Sequence, residues 1–514
     1  MIVLTHKYNS VVSVFNDEDN SVINIVATKP TEALFQLATK YQNNLIAWCH
    51  DDLKSFIHYE GFKKIFNHKL VMASFEIRNH NYISKRIGYV ESSPFVNIKK
   101  NVTYPTWLMS PCIGGIQAQV LLKYNLKDYK KYPFAYTLNA IAKKGMASGL
   151  FCYSSPALLH PNTVVLPPYK ASDTTLYQFI KQHYKMRWLF LTFFNTALYE
   201  KKLQVFSLLR SLFISKKTVV LDFTDIKVST NKSTPSMKSI DVVIPTMGRK
   251  PYLYDVLQDL SQQTLLPKQV IIVEQNPDVK SKSDLDYLST QTWPFHIDHV
   301  FIHQTGACNA RNVALKRVSS DYVFMADDDI RFQPELIENT LKTLFQFGLE
   351  AVTLSCLKEG EQENKKQPLQ WQTFGSGCSI VLSDVLDKVT YDMAFEHGFG
   401  EDGDFGMQLR NLGVDIIYLP NCRLLHLKAP IGGFRTPFAH PWENDDIQPK
   451  PSPTIMLYQL KHQSKFQIMS YKTMLFFKFY QLQPYKNIFS YIPLMKKRWI
   501  KSVYWANQLK INDQ

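Results

Sequence analysis

Three consecutive aspartates, Asp327-Asp328-Asp329, and a second acidic group, Glu401-Asp402-Gly403-Asp404, have the residue types and spacing that could do chemistry. The first group follows the apolar run Tyr322-Val-Phe-Met325 and Ala326. A strand there would deliver the carboxylates to the carboxyl end of a sheet, where open α/β sheets bind ligands. Adjacent carboxylates repel one another. A divalent cation, Mn²⁺ or Mg²⁺, bridging them to a diphosphate would compensate, because such ions take oxygen ligands and share them with substrate phosphates. A solvated acidic turn capping the next helix would explain the same triplet. The second group opens a stretch, Glu401 to Leu412, that reads as a helix with Phe405, Leu409 and Leu412 inward and Gly413 as its C-cap. The helix dipole favours ionised carboxylates at that end, which suits a general base working near neutral pH. For Asp404, N-capping alone serves equally well. Gly398, Gly400 and Gly403 would let a substrate approach this turn closely.

The elements that must hold these groups are legible as apolar runs between polar turns. Ile240–Pro245, Gln269–Val273, Tyr322–Met325, Ala351–Cys356, Cys378–Leu382 and Asp415–Leu419 read as strands. Between them, Leu253, Val256, Leu257 and Leu260 recur at helical spacing, and Pro334 opens a helix carrying Ile337, Leu341 and Leu344 on one face. Alternating strands and helices predict a mostly parallel α/β sheet. Two polar, proline-containing stretches, Thr230–Lys238 and Pro441–Pro453, look like its boundaries.

A chain of 514 residues exceeds one ordinary core, so two or three domains are expected. With 45% hydrophobic and 20% charged residues it is a folded protein rather than a disordered one. The net charge of +15 favours anionic partners: nucleic acid, phosphorylated substrates or an anionic membrane surface. Seven scattered cysteines form no CxxC pair, which argues against a zinc site or disulfide framework and for a reduced, cytoplasmic setting. The first residues carry too short an apolar run for a signal peptide, and no stretch reaches the length of a spanning helix.

Residues 239 to about 433 resemble the family 2 glycosyltransferases, whose fold is GT-A. The resemblance rests on Val242-Val-Ile-Pro-Thr246, Gly306-Ala-Cys-Asn-Ala-Arg311-Asn312, Asp327-Asp-Asp329 and Glu401-Asp402-x-Asp404-x5-Arg410-x2-Gly413, four motifs in order over two-fifths of the chain. It implies an inverting transfer of sugar from a nucleotide diphosphate donor to a hydroxyl of a glycan or lipid-linked glycan, in surface polysaccharide synthesis of bacterial type. By the same resemblance, Pro245 and Thr246 would line the base pocket. Glu274 stands where the family usually has an Asp touching uracil or ribose, which leaves the base open. Arg311 would lie near the nucleotide, or serve as a structural ion pair. Asp327 would contact ribose or metal, Asp329 would ligate the metal, and His426 would be a third metal or diphosphate contact. Asp402 is the expected base, with Glu401 second in line. Arg410 and Gly413 would hold the helix in place, and Arg435 would close over the donor phosphates. Gly375 and Gly377, with Trp371, would form an acceptor platform, although Trp371 also fits a core position.

Two rival functions predict different features. A nucleotidyltransferase acting on sugar phosphates would carry a glycine-rich basic loop after its first strand, whereas Thr246-Met-Gly-Arg-Lys250 has one glycine. A non-catalytic glycan-binding scaffold would have no need of the second acidic group.

The first half echoes the second. Leu45–Asp52 ends a strand-like run in acids, Cys112–Leu122 is similar to the Gly375–Leu382 region, and Asn139–Leu159 to the helix, Gly413 and following strand. Aligned so, Thr137, Leu138 and Ala140 replace Glu401, Asp402 and Asp404. The expected organisation is a degenerate, non-catalytic GT-A-like domain (1–220), a linker (221–238), the catalytic domain (239–440), and a proline-rich linker with a basic, aromatic helical tail (441–514). An unrelated α/β domain is the alternative for 1–220. The tail, with Met474–Tyr480 and Met495–Lys501, would either lie on the inner face of the plasma membrane or pack its aromatics on the catalytic domain. No RNP, zinc or helix-turn-helix signature accompanies it, so nucleic acid is not an expected partner.

Overall fold

The computed structural model describes residues 1–512 apart from 20, 217–220, 231–238, 431–437 and 485. Arg435, the Gly432-Gly433 pair and part of the expected linker therefore lie outside the described residues. The chain divides into two compact units, Met1–Lys232 with Gln463–Thr473, and Ser233–His462 with Met474–Gln514.

The first unit is built on a seven-stranded sheet. Its strands are β1 (Ile2–Lys7), β2 (Ser10–Asn16), β3 (Leu45–His50), β4 (Val71–Phe75), β5 (Tyr104–Pro105), β6 (Ile113–Gln117) and β7 (Phe151–Ser154), in the spatial order β2-β1-β3-β6-β4-β7-β5. Both faces are covered. Ile46 and Trp48 of β3 enter one core and Ala47 and Cys49 the other, so the strand reads as one apolar run instead of alternating.

The second unit carries β8 (Ile240–Thr246), β9 (Gln269–Gln275), β10 (His296–Ile302), β11 (Tyr322–Ala326), β12 (Ile330–Phe332), β13 (Ala351–Leu357), β14 (Leu369–Gln370), β15 (Cys378–Leu382) and β16 (Ile416–His426). The order is β10-β9-β8-β11-β15-β13-β16-β12, with β14 on β16. β10, β9, β8 and β11 are mutually parallel. β15 runs antiparallel to both β11 and β13. β13 and β16 are parallel to each other, so most strands run one way, as alternation predicts, and the sheet is mixed because β15, β12 and β14 are reversed. β15 is a short apolar run with a buried centre, and such a run looks the same in either direction. This unit is an α/β domain, the class that the resemblance implies.

The two sheets share a pattern. β1-β3-β6-β4-β7 has the same chain order and strand directions as β8-β11-β15-β13-β16. The short β5 and β14 pair antiparallel with the last strand of each set. The first unit has antiparallel β2 where the second has parallel β9 and β10.

The C-terminal helix Ile488–Asn512 is tied to the segment before it. Arg498 Nε donates to Gln448 O (2.9 Å), Ser502 Oγ to Pro451 O (2.7 Å) and Trp505 Nε1 to Asp445 Oδ2 (2.7 Å). Its Phe489 and Ile500 remain exposed.

Candidate active site

Parallel pairing of β8 with β9 and β11 brings Pro245-Thr246, Glu274-Gln275 and the aspartate triplet to one edge. There a cavity of about 710 Å³ opens, lined among others by Pro245, Thr246, Arg311, Asp327, Asp329 and Gly377. Glu401, Asp402 and His426 complete the set of expected residues on its wall. The volume suits a ligand of nucleotide-sugar size.

The three aspartates have separate environments. Asp328 is buried, accepting from Thr246 Oγ1 (2.7 Å) and Arg249 Nη1 (2.6 Å). Burial outweighs these bonds and pushes its pKa up to about 6. Asp329 is buried too. Its Oδ2 accepts from Ala429 N (2.9 Å), and its Oδ1 lies 3.4 Å from His426 Nε2. Burial works against its ionisation, but His426, the Ala429 amide and Arg249 more than offset that and hold its pKa below the usual value. His426 is raised in return, by its hydrogen bond to Asp329. Asp327 accepts from Arg311 Nη2 (3.1 Å). A Cβ on Gly377 would stand 2.0 Å from the Asp327 carboxylate, so this position has to be glycine for the carboxylate to sit where it does.

Arg311 comes from the helix Ala307–Leu315 and is almost wholly buried, 5.6 Å from the Tyr391 ring. The helix's N-terminal amides of Cys308 (3.1 Å) and Asn309 (2.7 Å) donate to Glu396. Gly306, with φ of 134°, has room for no side chain against that carboxylate.

Asp402 and Glu401 begin the helix Glu401–Asn411. A hydroxyl relay reaches Asp402: Tyr391 OH donates to Ser376 Oγ (2.6 Å), and Ser376 Oγ donates to Asp402 Oδ1. Burial raises the Asp402 pKa, only partly countered by Arg311 and Ser376. Glu401 is pushed up to about 7 by burial and by the adjacent Asp402 charge. Desolvation therefore prevails over the helix dipole, which alone would have kept both low.

Asp404 is turned away from this chemistry. It accepts from His462 Nε2 (2.6 Å), Lys461 Nζ (2.7 Å) and Gln408 Nε2 (2.8 Å), tying its helix to the helix Pro453–His462. Gly398 and Gly403 serve the same docking: a Cβ would stand 2.5 Å from Thr454 and 2.7 Å from Tyr458 respectively. Their missing side chains admit a helix, where substrate access was expected. Arg410 is fully buried and donates to Trp371 O, and Gly413 has φ of 90° after the helix, both as helix anchors would.

Three expected residues stand outside the cavity wall. Glu274 is buried against His299 Nε2 (2.9 Å), and its neighbour Gln275 lines the cavity instead. Trp371 stacks on Tyr418 with ring centres 4.4 Å apart. Gly375 packs against Cys378. Residues missed in the sequence include Arg249, Gln275, Lys358, Glu396 and Lys428 on the wall, and Ser376 behind it. Arg249 had a signal, since a basic residue directly follows the strand-end turn. The others are brought in by tertiary contacts. Among the described residues, no three His, Cys, Asp or Glu side chains converge into a closed metal cage.

The matching positions of the first unit carry different residues. The backbone bonds His50 N to Cys112 O (2.7 Å) and Asp327 N to Gly377 O (3.2 Å) each follow the last ladder pair of β3–β6 and β11–β15. His50 thus stands where Asp327 does. Gly149 and Gly413 have matching φ angles of 93° and 90°. Counting back from them puts Leu138, fully buried, at the position of Asp402.

The family model of glycosyl transferase family 2 matches residues 241–411. The chain is 30% identical over 105 residues to the uncharacterized glycosyltransferase YwdF of Bacillus subtilis (strain 168), covering 20% of this chain and 38% of that protein. It is 30% identical over 107 residues to an uncharacterized glycosyltransferase of Haemophilus influenzae, covering 21% of this chain and 35% of that protein. The chain therefore spans less than two-fifths of the length of these curated relatives. Among solved structures, S. aureus TarS 1–349 in complex with UDP-GlcNAc is 14% identical with a TM-score of 0.37, covering 52% of this chain and 81% of that one. The mannosyltransferase PcManGT from Pyrobaculum calidifontis, in complex with GDP-Man and Mn²⁺, is 15% identical with a TM-score of 0.30, covering 53% and 74%.

Proposed function

The second half of this chain is a family 2 glycosyltransferase domain, and on that premise we propose that its cavity moves a sugar from a nucleotide diphosphate donor to a hydroxyl of a glycan or lipid-linked glycan, with inversion. The observation that carries the reading is one cavity wall holding a relay-oriented carboxylate, Asp402, together with Asp327, Asp329, His426 and the buried Arg311. Pro245, Thr246 and Gln275, on the cavity wall, would receive the nucleotide base and ribose.

Asp402, aimed by Ser376, takes the proton from the acceptor hydroxyl as that oxygen forms its bond to the anomeric carbon. The bond from that carbon to the β-phosphate oxygen breaks on the opposite face, and the nucleoside diphosphate leaves with the electron pair. Arg311, Lys358 and Lys428 supply positive charge beside the leaving diphosphate. Two carboxylates and an imidazole, Asp327, Asp329 and His426, are donors that fit a Mn²⁺ or Mg²⁺ sharing its remaining ligands with phosphate. Such an ion, when bound, would neutralise diphosphate charge.

The first unit is, in this reading, a degenerate copy of the second. The shared strand order and the Gly149/Gly413 match support it, and buried Leu138 in place of a base supports a non-catalytic role. A role in surface polysaccharide synthesis on the cytoplasmic face of the membrane fits seven free cysteines and a net charge of +15. Among the described residues no helix is long and apolar enough to cross a membrane.

The test is nucleotide release from a panel of UDP-, GDP- and dTDP-sugars, with Mn²⁺ and then with chelator. Nucleoside diphosphate should be the product, chelator should suppress it, and Asp329→Ala should lower it by on the order of 100-fold, the scale of losing one electrostatic stabiliser. Pyrophosphate as the product, or an Asp329→Ala variant with unchanged turnover, would contradict the proposal.

A further inference from the structure

Two consecutive helices of the first unit leave much of their apolar surface outside. Met186–Glu200 buries Leu189, Leu191, Thr192, Asn195 and Thr196, while its outward face carries Met186, Phe190 and Leu198. The two threonine hydroxyls are satisfied within the helix, Thr192 donating to Trp188 O (2.9 Å) and Thr196 to Thr192 O (2.7 Å), and Asn195 Oδ1 accepts from Thr473 (2.7 Å). Val205–Leu212 buries Ser207 and Ser211 and packs only Leu208 and Leu212 partly on the core. Phe206 is 70% exposed, Leu209 52%, and Phe213 just beyond the helix 90%. Leu203, between the two helices, is 74% exposed.

A helix in a water-soluble fold ordinarily turns its apolar stripe inward. Two adjacent helices that also leave this many large apolar side chains outside present an apolar surface, and such surfaces mark interaction sites. The charges around it decide what it meets. From Lys185 to Lys216 the sequence holds six Lys and Arg and a single acid, Glu200. That acid is held by Arg86 through Nη2 (2.5 Å) and Nε (2.9 Å), so it does not offset the cations. Lys185, Arg187, Lys201, Lys202, Arg210 and Lys216 are all exposed. A second copy of this chain would bring the same cations face to face, which disfavours self-association. An anionic lipid surface satisfies both features: acyl chains for the aromatic and aliphatic side chains, headgroup phosphates for the lysines and arginines. With 15 and 8 residues, the helices are too short to span and suited to lie in the interface plane.

We propose that the outward faces of Met186–Glu200 and Val205–Phe213 are a docking surface for anionic membrane lipid, in addition to any contact made by the C-terminal tail. The experiment is co-sedimentation of the full chain with vesicles of equal parts phosphatidylcholine and phosphatidylglycerol, against vesicles of phosphatidylcholine alone. Two variants accompany the wild type, one with Phe206→Ser, Leu209→Ser and Phe213→Ser, the other with Lys201→Glu and Lys202→Glu. These positions are exposed, so circular dichroism and donor turnover should be unchanged. Binding should favour the anionic vesicles, and each variant should weaken it by on the order of tenfold or more. The inference is overturned if the wild type ignores anionic vesicles, if both variants sediment as it does, or if light scattering shows a dimer that the variants dissociate.

Discussion

Gly377→Ala tests the placement of Asp327 with the smallest possible change. An ideal Cβ at 377 would lie 2.0 Å from Asp327 Oδ2, 2.1 Å from Cγ and 2.5 Å from Oδ1. Ordinary contact begins at 3.4 Å, so the carboxylate must retreat by about 1.4 Å, the difference between 3.4 and 2.0. A misplacement of roughly 1 Å at a reacting centre costs about 100-fold in rate, or about 2.7 kcal/mol of transition-state stabilisation. The retreat also stretches the 3.1 Å bond to Arg311. Losing one partner of a buried pair can cost about 3–5 kcal/mol. Here Asp327 is about one-third exposed, and Glu401 and Asp402 still act on Arg311, so about 1 kcal/mol is the expected loss of stability. That corresponds to roughly 2–4 °C for a unit of this size. Steady-state kinetics with the preferred nucleotide sugar should show kcat/KM down about 100-fold, with circular dichroism intact. Wild-type kcat/KM in Gly377→Ala would refute the assignment of Asp327 to the donor site.

Three further outcomes follow from the same geometry. Asp404→Asn should destabilise the second unit by about 3 kcal/mol, because His462 and Lys461 lose a buried partner, while kcat changes little in the surviving fold; urea unfolding and initial rates measure the two. The Asp404 pKa is depressed, with burial outweighed by His462 and Lys461, so its stabilisation is present above the unfolded value near pH 4 and is lost as pH falls through the lower folded value. The difference between wild type and Asp404→Asn should vanish in acid. For catalysis the pKa shift has the opposite sign but the loss runs the same way: Asp402 and Glu401 are raised by burial, so kcat/KM should fall as pH drops through their range, at higher pH than an ordinary carboxylate. Ser376→Ala removes a donor to the ionised form and should move that acid limb to higher pH, whereas Glu401→Gln removes a like charge and should move it lower.

Much of the catalytic half was legible because buried strands leave apolar runs and their polar ends hold the chemistry. The starts of β8, β9, β11, β13 and β15 coincide with the expected ones, and the acidic groups fall at the strand end and helix start that the pattern requires. β10 was not foreseen: His296-Ile-Asp-His-Val-Phe-Ile302 is a partly exposed edge strand with charged and apolar residues mixed. The direction of β15 was equally silent, since a run buried at its centre carries no directional mark. Ser376 sat between two glycines read as a platform, and its relay to Asp402 exists only once Tyr391 is folded behind it. Gly398 and Gly403 were misassigned for the same reason, because Thr454 and Tyr458 lie about fifty residues away in sequence. In the first half, strand order shows a likeness that residue identity does not: counting back from Gly149 and Gly413 pairs Leu138 with Asp402, which have no chemistry in common.

The most direct measurement is transfer by Asp402→Asn under saturating donor, compared with the wild type and with Glu401→Gln. With Asp402 as the base, Asp402→Asn should lose about 100-fold to 10,000-fold in kcat while still binding nucleoside diphosphate. Its thermal midpoint should be unchanged or raised, since a buried carboxylate with an elevated pKa weakens the fold at neutral pH. Glu401→Gln should retain most activity. Transfer at wild-type rate by Asp402→Asn would contradict the account.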